Sequence, residues 1–473
     1  LNPATGETLW THDPGTGDGP RPPMFGYSSR GLAYYRDPQA SETAPRDRVI
    51  LLASDGWLIA LDAATGKPVA SFGEDGRVDL TLGLRRTLRR ETATWNYPPA
   101  LCGNVIVVGS QTTDGSHFLR DDPWNANLPV GDVRGFDAAT GKQLWAFHTV
   151  PQDGELGNDT WGEESWRWMG NTNVWSSMSC DPELGHVYLP VTAPTHHLYG
   201  GHRPGDNLFA TSVVALDART GERVWHFQTV HHDIWDYDLP AAPVVIDVDI
   251  DGEPAKLVGQ VGKTGYLYVF DRASGEPRWP IEEREVPESN LPGELAASTQ
   301  PHPTWPPPFE QQGMTVDDLI DLTPELKAMA LDAVKDLRMG PLFTPAAEGG
   351  TLINPGVGGG ANWGGASFDP ETGYFYVASR RMPMTLTPRS MDKRRPEVRY
   401  SVRFRGATVD GLPIVKPPWG RITAYDMATG AIAWQQTNGR GPKDHPLLEG
   451  LDLPDLGTPD APGLLVTKTL LIH

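Results

Sequence analysis

One phrase, Asp or Asn followed by two residues, Thr or Ser, Gly and then a Trp four positions on, returns along this chain. It limits what the chain can fold into. The copies read Leu1-Asn-Pro-Ala-Thr-Gly-Glu-Thr-Leu-Trp10, Phe136-Asp-Ala-Ala-Thr-Gly-Lys-Gln-Leu-Trp145, Leu216-Asp-Ala-Arg-Thr-Gly-Glu-Arg-Val-Trp225, Phe270-Asp-Arg-Ala-Ser-Gly-Glu-Pro-Arg-Trp279 and Tyr425-Asp-Met-Ala-Thr-Gly-Ala-Ile-Ala-Trp434. Leu61-Asp-Ala-Ala-Thr-Gly-Lys67 lacks the Trp, and Phe368-Asp-Pro-Glu-Thr-Gly373 is a weaker relative. Each copy describes a hairpin. An apolar residue ends one strand, the Asp accepts turn N–H groups, and the Gly takes φ > 0. The Trp then fills the buried face of the next strand. β-rich runs such as Val105–Val108 and Tyr266–Val269 precede the turns.

The repeat glycines, at 6, 66, 141, 221, 275 and 430, are unequally spaced. That excludes a tight solenoid and suits four-stranded blades with loops of variable length. The wide interval after Gly275 has room for at least two units, one of them marked by Gly373. The expected fold is therefore an all-β propeller, eight-bladed when complete, with its first and last blades cut short in this chain. It forms one domain over residues 1–473. Residues 282–350 interrupt the pattern. Gln300-Pro-His-Pro-Thr-Trp-Pro-Pro-Pro308 must be extended. Thr323-Pro324 then reads as an N-cap with Pro at the first helical position, and Leu326, Met329, Ala330, Val334 and Leu337 form one amphipathic stripe. This segment is expected to be an insertion packed on the propeller.

Composition narrows the function classes. With 52 Gly and 45 Pro the chain is turn-rich, yet 16 Trp and 13 Phe supply a core. The formal charge of −20 opposes binding to polyphosphates, so no nucleic-acid partner is expected. The two cysteines, Cys102 and Cys180, exclude a zinc cluster. They could form a disulfide or sit as buried thiols, and the strand-like run around Cys180 tips the balance slightly to thiols. No apolar run approaches the length of a membrane helix.

The repeated phrase resembles the tryptophan-docking motif of the quinoprotein dehydrogenases. The resemblance sharpens at Trp225-His-Phe-Gln-Thr-Val-His-His-Asp-Ile-Trp-Asp-Tyr-Asp-Leu-Pro240, which is similar to the active-site segment of the membrane-type glucose and polyol dehydrogenase branch. Lys263, in Val261-Gly-Lys-Thr-Gly265, falls where that branch has its active-site lysine. The resemblance implies an enzyme that oxidises a sugar, polyol or other alcohol with pyrroloquinoline quinone (PQQ). Asp236 would be the general base, and Lys263 would polarise the quinone. Arg30, Asn173, Trp175, Asn362, Trp363 and Trp419 match cofactor contacts, because a flat tricarboxylate needs aromatic platforms with cationic and amide donors.

The resemblance also implies Ca²⁺ or Mg²⁺, with Asp236, Asp238 and Asp114 as candidate ligands. The pattern departs here. Leu128–Gly135 lacks the Glu, and Val191–His197 lacks the Asn, with which the alcohol-dehydrogenase branch binds its ion. His196 and His197 are either substitutes or solvated loop residues. The electron acceptor implied is a membrane quinone or cytochrome c. The location implied is periplasmic or secreted, and any membrane attachment would come from a segment outside these residues. A non-catalytic scaffold, or a carbohydrate-binding propeller that has lost its cofactor, is the alternative. Substrate contacts are expected from loops 112–130, 150–170, 282–350 and 383–412.

Overall fold

The computed structural model describes residues 1–16, 30–39, 46–86, 90, 93–112, 129–390 and 400–473. Within them, short antiparallel sheets follow one another along the chain. Four are four-stranded. The first holds Ala33–Arg36, Asp47–Ala53, Trp57–Asp62 and Arg77–Asp79, and the second holds Ala100–Cys102, Val105–Val108, Val133–Asp137 and Gln143–Phe147. The third holds Ser179–Asp181, His186–Pro190, Ser212–Asp217 and Arg223–Gln228. A three-stranded sheet follows, of Val244–Ile250, Glu253–Val261 and Leu267–Asp271. The last four-stranded sheet holds Ala366–Asp369, Tyr374–Arg380, Gly420–Asp426 and Ala431–Thr437. The opening strands of successive sheets lie against one another in order, and Leu465–Val466 lies against Ala366–Asp369 in turn. This radial stacking of small sheets is a propeller arrangement.

In the four-stranded sheets the turns at Gly66, Gly141, Gly221 and Gly430 stand before the outermost strand. Asp217 Oδ1 accepts from Arg219 N and Thr220 N, both at 2.9 Å, as the turn chemistry predicts. The Trp does more than fill its own strand, because it reaches the turn of the following sheet. Trp145 Nε1 donates to Ala218 O at 3.0 Å, Trp225 Nε1 to Arg272 O at 3.2 Å, and Trp10 Nε1 to Ala63 O at 3.0 Å. The indole covers the turn glycine so closely that a Cβ on Gly221, at φ 74°, would stand 2.5 Å from the Trp145 ring. The turns at Gly66, Gly221 and Gly275 are thus seats for Trp10, Trp145 and Trp225 of the preceding repeat.

Three expectations need correction. Gly373 marks no extra blade. Its turn joins Ala366–Asp369 to Tyr374–Arg380, the first two strands of the sheet whose outer turn carries Gly430. The interval from Gly275 to Gly430 thus holds one blade sheet, an insertion and an excursion. The cysteines are a disulfide, Cys102–Cys180, and not buried thiols. They stand on the adjacent opening strands Ala100–Cys102 and Ser179–Asp181, whose Cα atoms come within 5.4 Å at this pair. Sequence separation concealed that proximity.

The third correction concerns Trp419, which is fully buried and donates to Val415 O at 2.8 Å. It packs in a cluster with Leu326, Ala330 and Val334 of the helix Pro324–Val334. Thr323 caps that helix by accepting from Leu326 N at 3.1 Å, and Pro324 opens it. Met329, expected on the apolar stripe, is exposed. Trp419 thus belongs to the core cluster that the insertion's helix helps to form.

Candidate active site

The segment His232–Asp238 is a tight loop built around Asp233. The Asp233 carboxylate accepts from Trp235 N at 2.9 Å, Tyr237 N at 3.0 Å and the Thr211 hydroxyl at 2.8 Å. This Asp-centred turn holds Asp236 at φ 58°, in the left-handed region that Asp tolerates better than most residues. Trp235 and Tyr237 are fully buried on either side, stacked at 6.3 Å. Their rings anchor the loop and leave the Asp236 carboxylate facing a cavity.

Lys263 comes from the adjoining hairpin. Its Nζ donates to Asp236 Oδ2 at 2.9 Å and to Asp238 Oδ2 at 3.2 Å. Gly359 lets the lysine backbone approach, since a Cβ there would stand 2.5 Å from the Lys263 side chain. Asp238 is fully engaged. Its Oδ1 accepts from Ala193 N at 2.7 Å, and its Oδ2 also takes the Trp175 indole N–H at 3.1 Å. Burial pushes the Asp236 carboxyl up to about 7, the lysine offsets part of that push, and Asp238 adds to it. Burial alone would depress the Lys263 ammonium, but the two carboxylates hold it above its ordinary range. The site therefore holds a fixed cation beside a carboxyl poised near neutrality.

The cavity has a volume of about 590 Å³, within the usual range for small-molecule sites. It brings together Arg30, Asn173, Trp175, Asp236, Asp238, Lys263, Asn362 and Trp363, all named from sequence. Arg30 Cζ lies 4.9 Å from the Trp363 ring centroid and 5.9 Å from that of Trp175. Trp419 is not on the cavity wall, and Asp114 lies outside the described residues. His196 and His197 do line it, as do Gln111, Tyr199, Tyr400 and Phe404, which sequence reasoning missed as individuals.

A protein-family profile described as "PQQ: Glucose/ethanol/alcohol dehydrogenase, beta-propeller domain" matches residues 1–473. The chain belongs to this family of PQQ-type propellers. It is 33% identical to the quinate/shikimate dehydrogenase (quinone) of Acinetobacter baylyi, over 92% of this chain and 55% of that protein. It is 30% identical to the quinoprotein glucose dehydrogenase of Escherichia coli, over 93% of this chain and 57% of that protein. Among solved structures, quinohemoprotein alcohol dehydrogenase ADHIIG from Pseudomonas putida superposes with a TM-score of 0.60 at 25% identity, covering 90% of this chain and 55% of that one. The chain thus spans little more than half the length of these relatives.

For a member of the PQQ family, the donor set can be tested against both expected groups. A flat, polyanionic quinone fits it. The cavity offers two indoles, the Arg30 and Lys263 cations, and the Asn173 and Asn362 amides. A divalent ion fits the described residues poorly. Both Asp238 oxygens are engaged, Asn171 Oδ1 takes the Thr112 hydroxyl, and Asn173 Oδ1 takes that of Thr192. Among the described residues no three His, Cys, Asp or Glu groups converge as a metal site. Calcium takes six to eight oxygens, and the Lys263 ammonium already supplies positive charge between the carboxylates.

Proposed function

We propose that this chain is the catalytic propeller of a PQQ-dependent dehydrogenase oxidising a sugar, polyol or other alcohol. One observation carries the reading: Asp236, poised near neutrality, meets the buried Lys263 at 2.9 Å on the wall of an indole-lined cavity. Asp236 takes the proton of the substrate hydroxyl as general base. When bound, PQQ supplies the quinone that accepts the hydride, so the alcohol loses two electrons and two hydrogens to become a carbonyl. Lys263 donates hydrogen bonds that stabilise negative charge arriving on oxygen. Arg30, Asn173, Trp175, Asn362 and Trp363 hold the cofactor, and Trp235 and Tyr237 exclude water from behind the base.

Residues 1–473 act as one PQQ-binding propeller unit, with 282–350 as its insertion. The relatives named for quinate, glucose and glycerol share a polyhydroxylated carbon skeleton, and the substrate here is of that class. Electrons leave to a membrane quinone or to cytochrome c, in a periplasmic or secreted setting. No helix among the described residues is long and apolar enough to cross a membrane.

Titrating PQQ into the purified chain tests the reading. A saturable change in cofactor absorbance, followed by dye reduction with a panel of sugars and polyols, is the expected result. An unchanged cofactor spectrum at saturating protein sinks it.

A further inference from the structure

The chain carries 60 acidic against 40 basic residues, yet between Arg380 and Arg405 nine Lys or Arg stand against only Asp392 and Glu397. Two strands in this stretch, Met384–Ser390 and Tyr400–Gly406, form an antiparallel ribbon. Its register pairs Thr385 with Arg405, Thr387 with Arg403 and Arg389 with Ser401. Strand alternation puts Thr385, Thr387, Arg389, Arg403 and Arg405 on one face, with Ser401 at the edge where the ribbon meets the cavity. The opposite face turns inward, where Leu386, Tyr400 and Val402 pack with Leu198 and Tyr199 at the cavity. Arg389, Arg403 and Arg405 are all exposed, and none of the three has an ion-pair partner among the described residues. Three exposed guanidinium groups without an ion-pair partner among the described residues thus share one face of an acidic protein.

We propose that this outward face of the ribbon is a docking surface for anionic lipid headgroups. The inference goes beyond the dehydrogenase reading and does not depend on it. The face carries only Thr, Ser and Arg. A specific protein interface has an apolar core inside its polar rim, and this face has none. A fluid array of anionic headgroups needs no such core, because it rearranges under a row of fixed cations. The chain's net negative charge does not cancel the attraction, since screening at physiological salt limits each charge to roughly 8 Å. The half-exposed Phe404, between Arg403 and Arg405, lies on the cavity rim. Docking through this ribbon brings the mouth of the cavity close to the lipid surface.

The test is sedimentation of the PQQ-loaded full chain with vesicles of neutral phosphatidylcholine, or of phosphatidylcholine with about one-third phosphatidylglycerol, a typical anionic mixture. Binding is expected to the anionic vesicles only and to weaken with salt. The triple variant Arg389→Ser, Arg403→Ser, Arg405→Ser should lower partitioning about a hundredfold, because each basic residue near an anionic surface contributes about fivefold. The triple Arg→Lys variant should retain binding, and both variants should keep the parent's melting temperature and dye-linked activity. Equal binding to both kinds of vesicle overturns the proposal, as does loss of binding in the Lys variant. So does an absence of vesicle binding alongside an Arg-dependent, salt-sensitive reaction with an acidic cytochrome. Sedimentation requires no turnover, so failure here is distinguishable from failure of the catalytic reading.

Discussion

The indole N–H of Trp175 is bonded at 3.1 Å to the same Asp238 oxygen that receives Lys263 Nζ at 3.2 Å. The aromatic wall of the cavity and its charged floor are therefore one connected unit. Moving the ring disturbs the carboxylate, and moving the carboxylate disturbs the lysine.

Replacing Trp175 with Ala should weaken PQQ binding by about 1–3 kcal/mol, the scale of a large aromatic contact. Trp175→Phe keeps much of the apolar area but loses the N–H, so affinity should fall less while turnover still drops. Fluorescence titration of both variants, alongside their turnover, measures the two effects. Equal affinity in wild type and Trp175→Ala would remove Trp175 from the binding surface.

The disulfide joins the opening strands of neighbouring sheets across 78 residues. Cross-linking a loop of that length restricts the unfolded chain, and its loss typically costs about 2–5 kcal/mol. A Cys102→Ser, Cys180→Ser variant should melt several degrees lower than the oxidised protein, and reduction of the parent should reproduce the shift. A melting temperature insensitive to thiol reagents would show that the bridge contributes nothing.

The Trp-to-glycine seats make a comparable demand. Gly221→Ala places a methyl group where the Trp145 ring lies, at a backbone φ that disfavours any Cβ. Overpacking and backbone strain together should cost about 1–3 kcal/mol. The same substitution at Gly185, where nothing stands within 4 Å, carries only the backbone part, since its φ is 69°. Denaturant unfolding of the pair isolates the Trp145 contact, and equal losses would mean that the indole seat is not specific.

The contrast between local and distant signals explains what the sequence made legible. The repeat phrase encodes its turn locally, through an Asp carboxylate bonding N–H groups two and three residues on, so the blades could be read directly. The Trp225–Pro240 segment and Lys263, with the shorter matches around Arg30, Trp175 and Asn362, carried enough pattern to name residues that meet in the cavity. Trp419 could not be placed, because the core cluster that buries it draws on residues from a helix nearly a hundred residues earlier. The disulfide was hidden for the same reason, since only the radial stacking of sheets brings Cys102 beside Cys180. Gly373 misled because the Asp-x-x-Thr-Gly turn serves any tight hairpin, whether inner or outer. The basic ribbon was visible only once the strand register had sorted its arginines onto one face.

Asp236→Asn keeps the shape and most of the hydrogen bonding of the side chain but removes the base. PQQ affinity should hold, while turnover falls by ~10²–10⁴-fold. In the parent, activity should rise with pH through about 7 as Asp236 deprotonates. Stability should move the opposite way. A carboxyl whose folded pKa is raised contributes stability that is fully present below its unfolded pKa, near 4, and lost as pH rises through about 7. Parallel pH series of turnover and melting temperature test both signs. A flat activity profile from pH 5 to 9 would exclude Asp236 as the titrating base.

Lys263→Met separates the lysine's electrostatic role from a merely structural one. Removing the ammonium leaves Asp236 and Asp238 facing each other with no cation between them. Both the burial and the like charge that raise the Asp236 pKa then act without the offsetting lysine. The activity midpoint should therefore shift above 7, and turnover at neutral pH should fall even where cofactor is saturating. Breaking the pair should also cost about 3–5 kcal/mol of stability, because a buried carboxylate is left uncompensated. Low pH should recover part of that loss, since protonating one carboxyl relieves the repulsion. A purely structural lysine would instead lower stability at every pH and leave the activity midpoint where it was. The position of that midpoint, measured on folded protein at saturating PQQ, decides between the two.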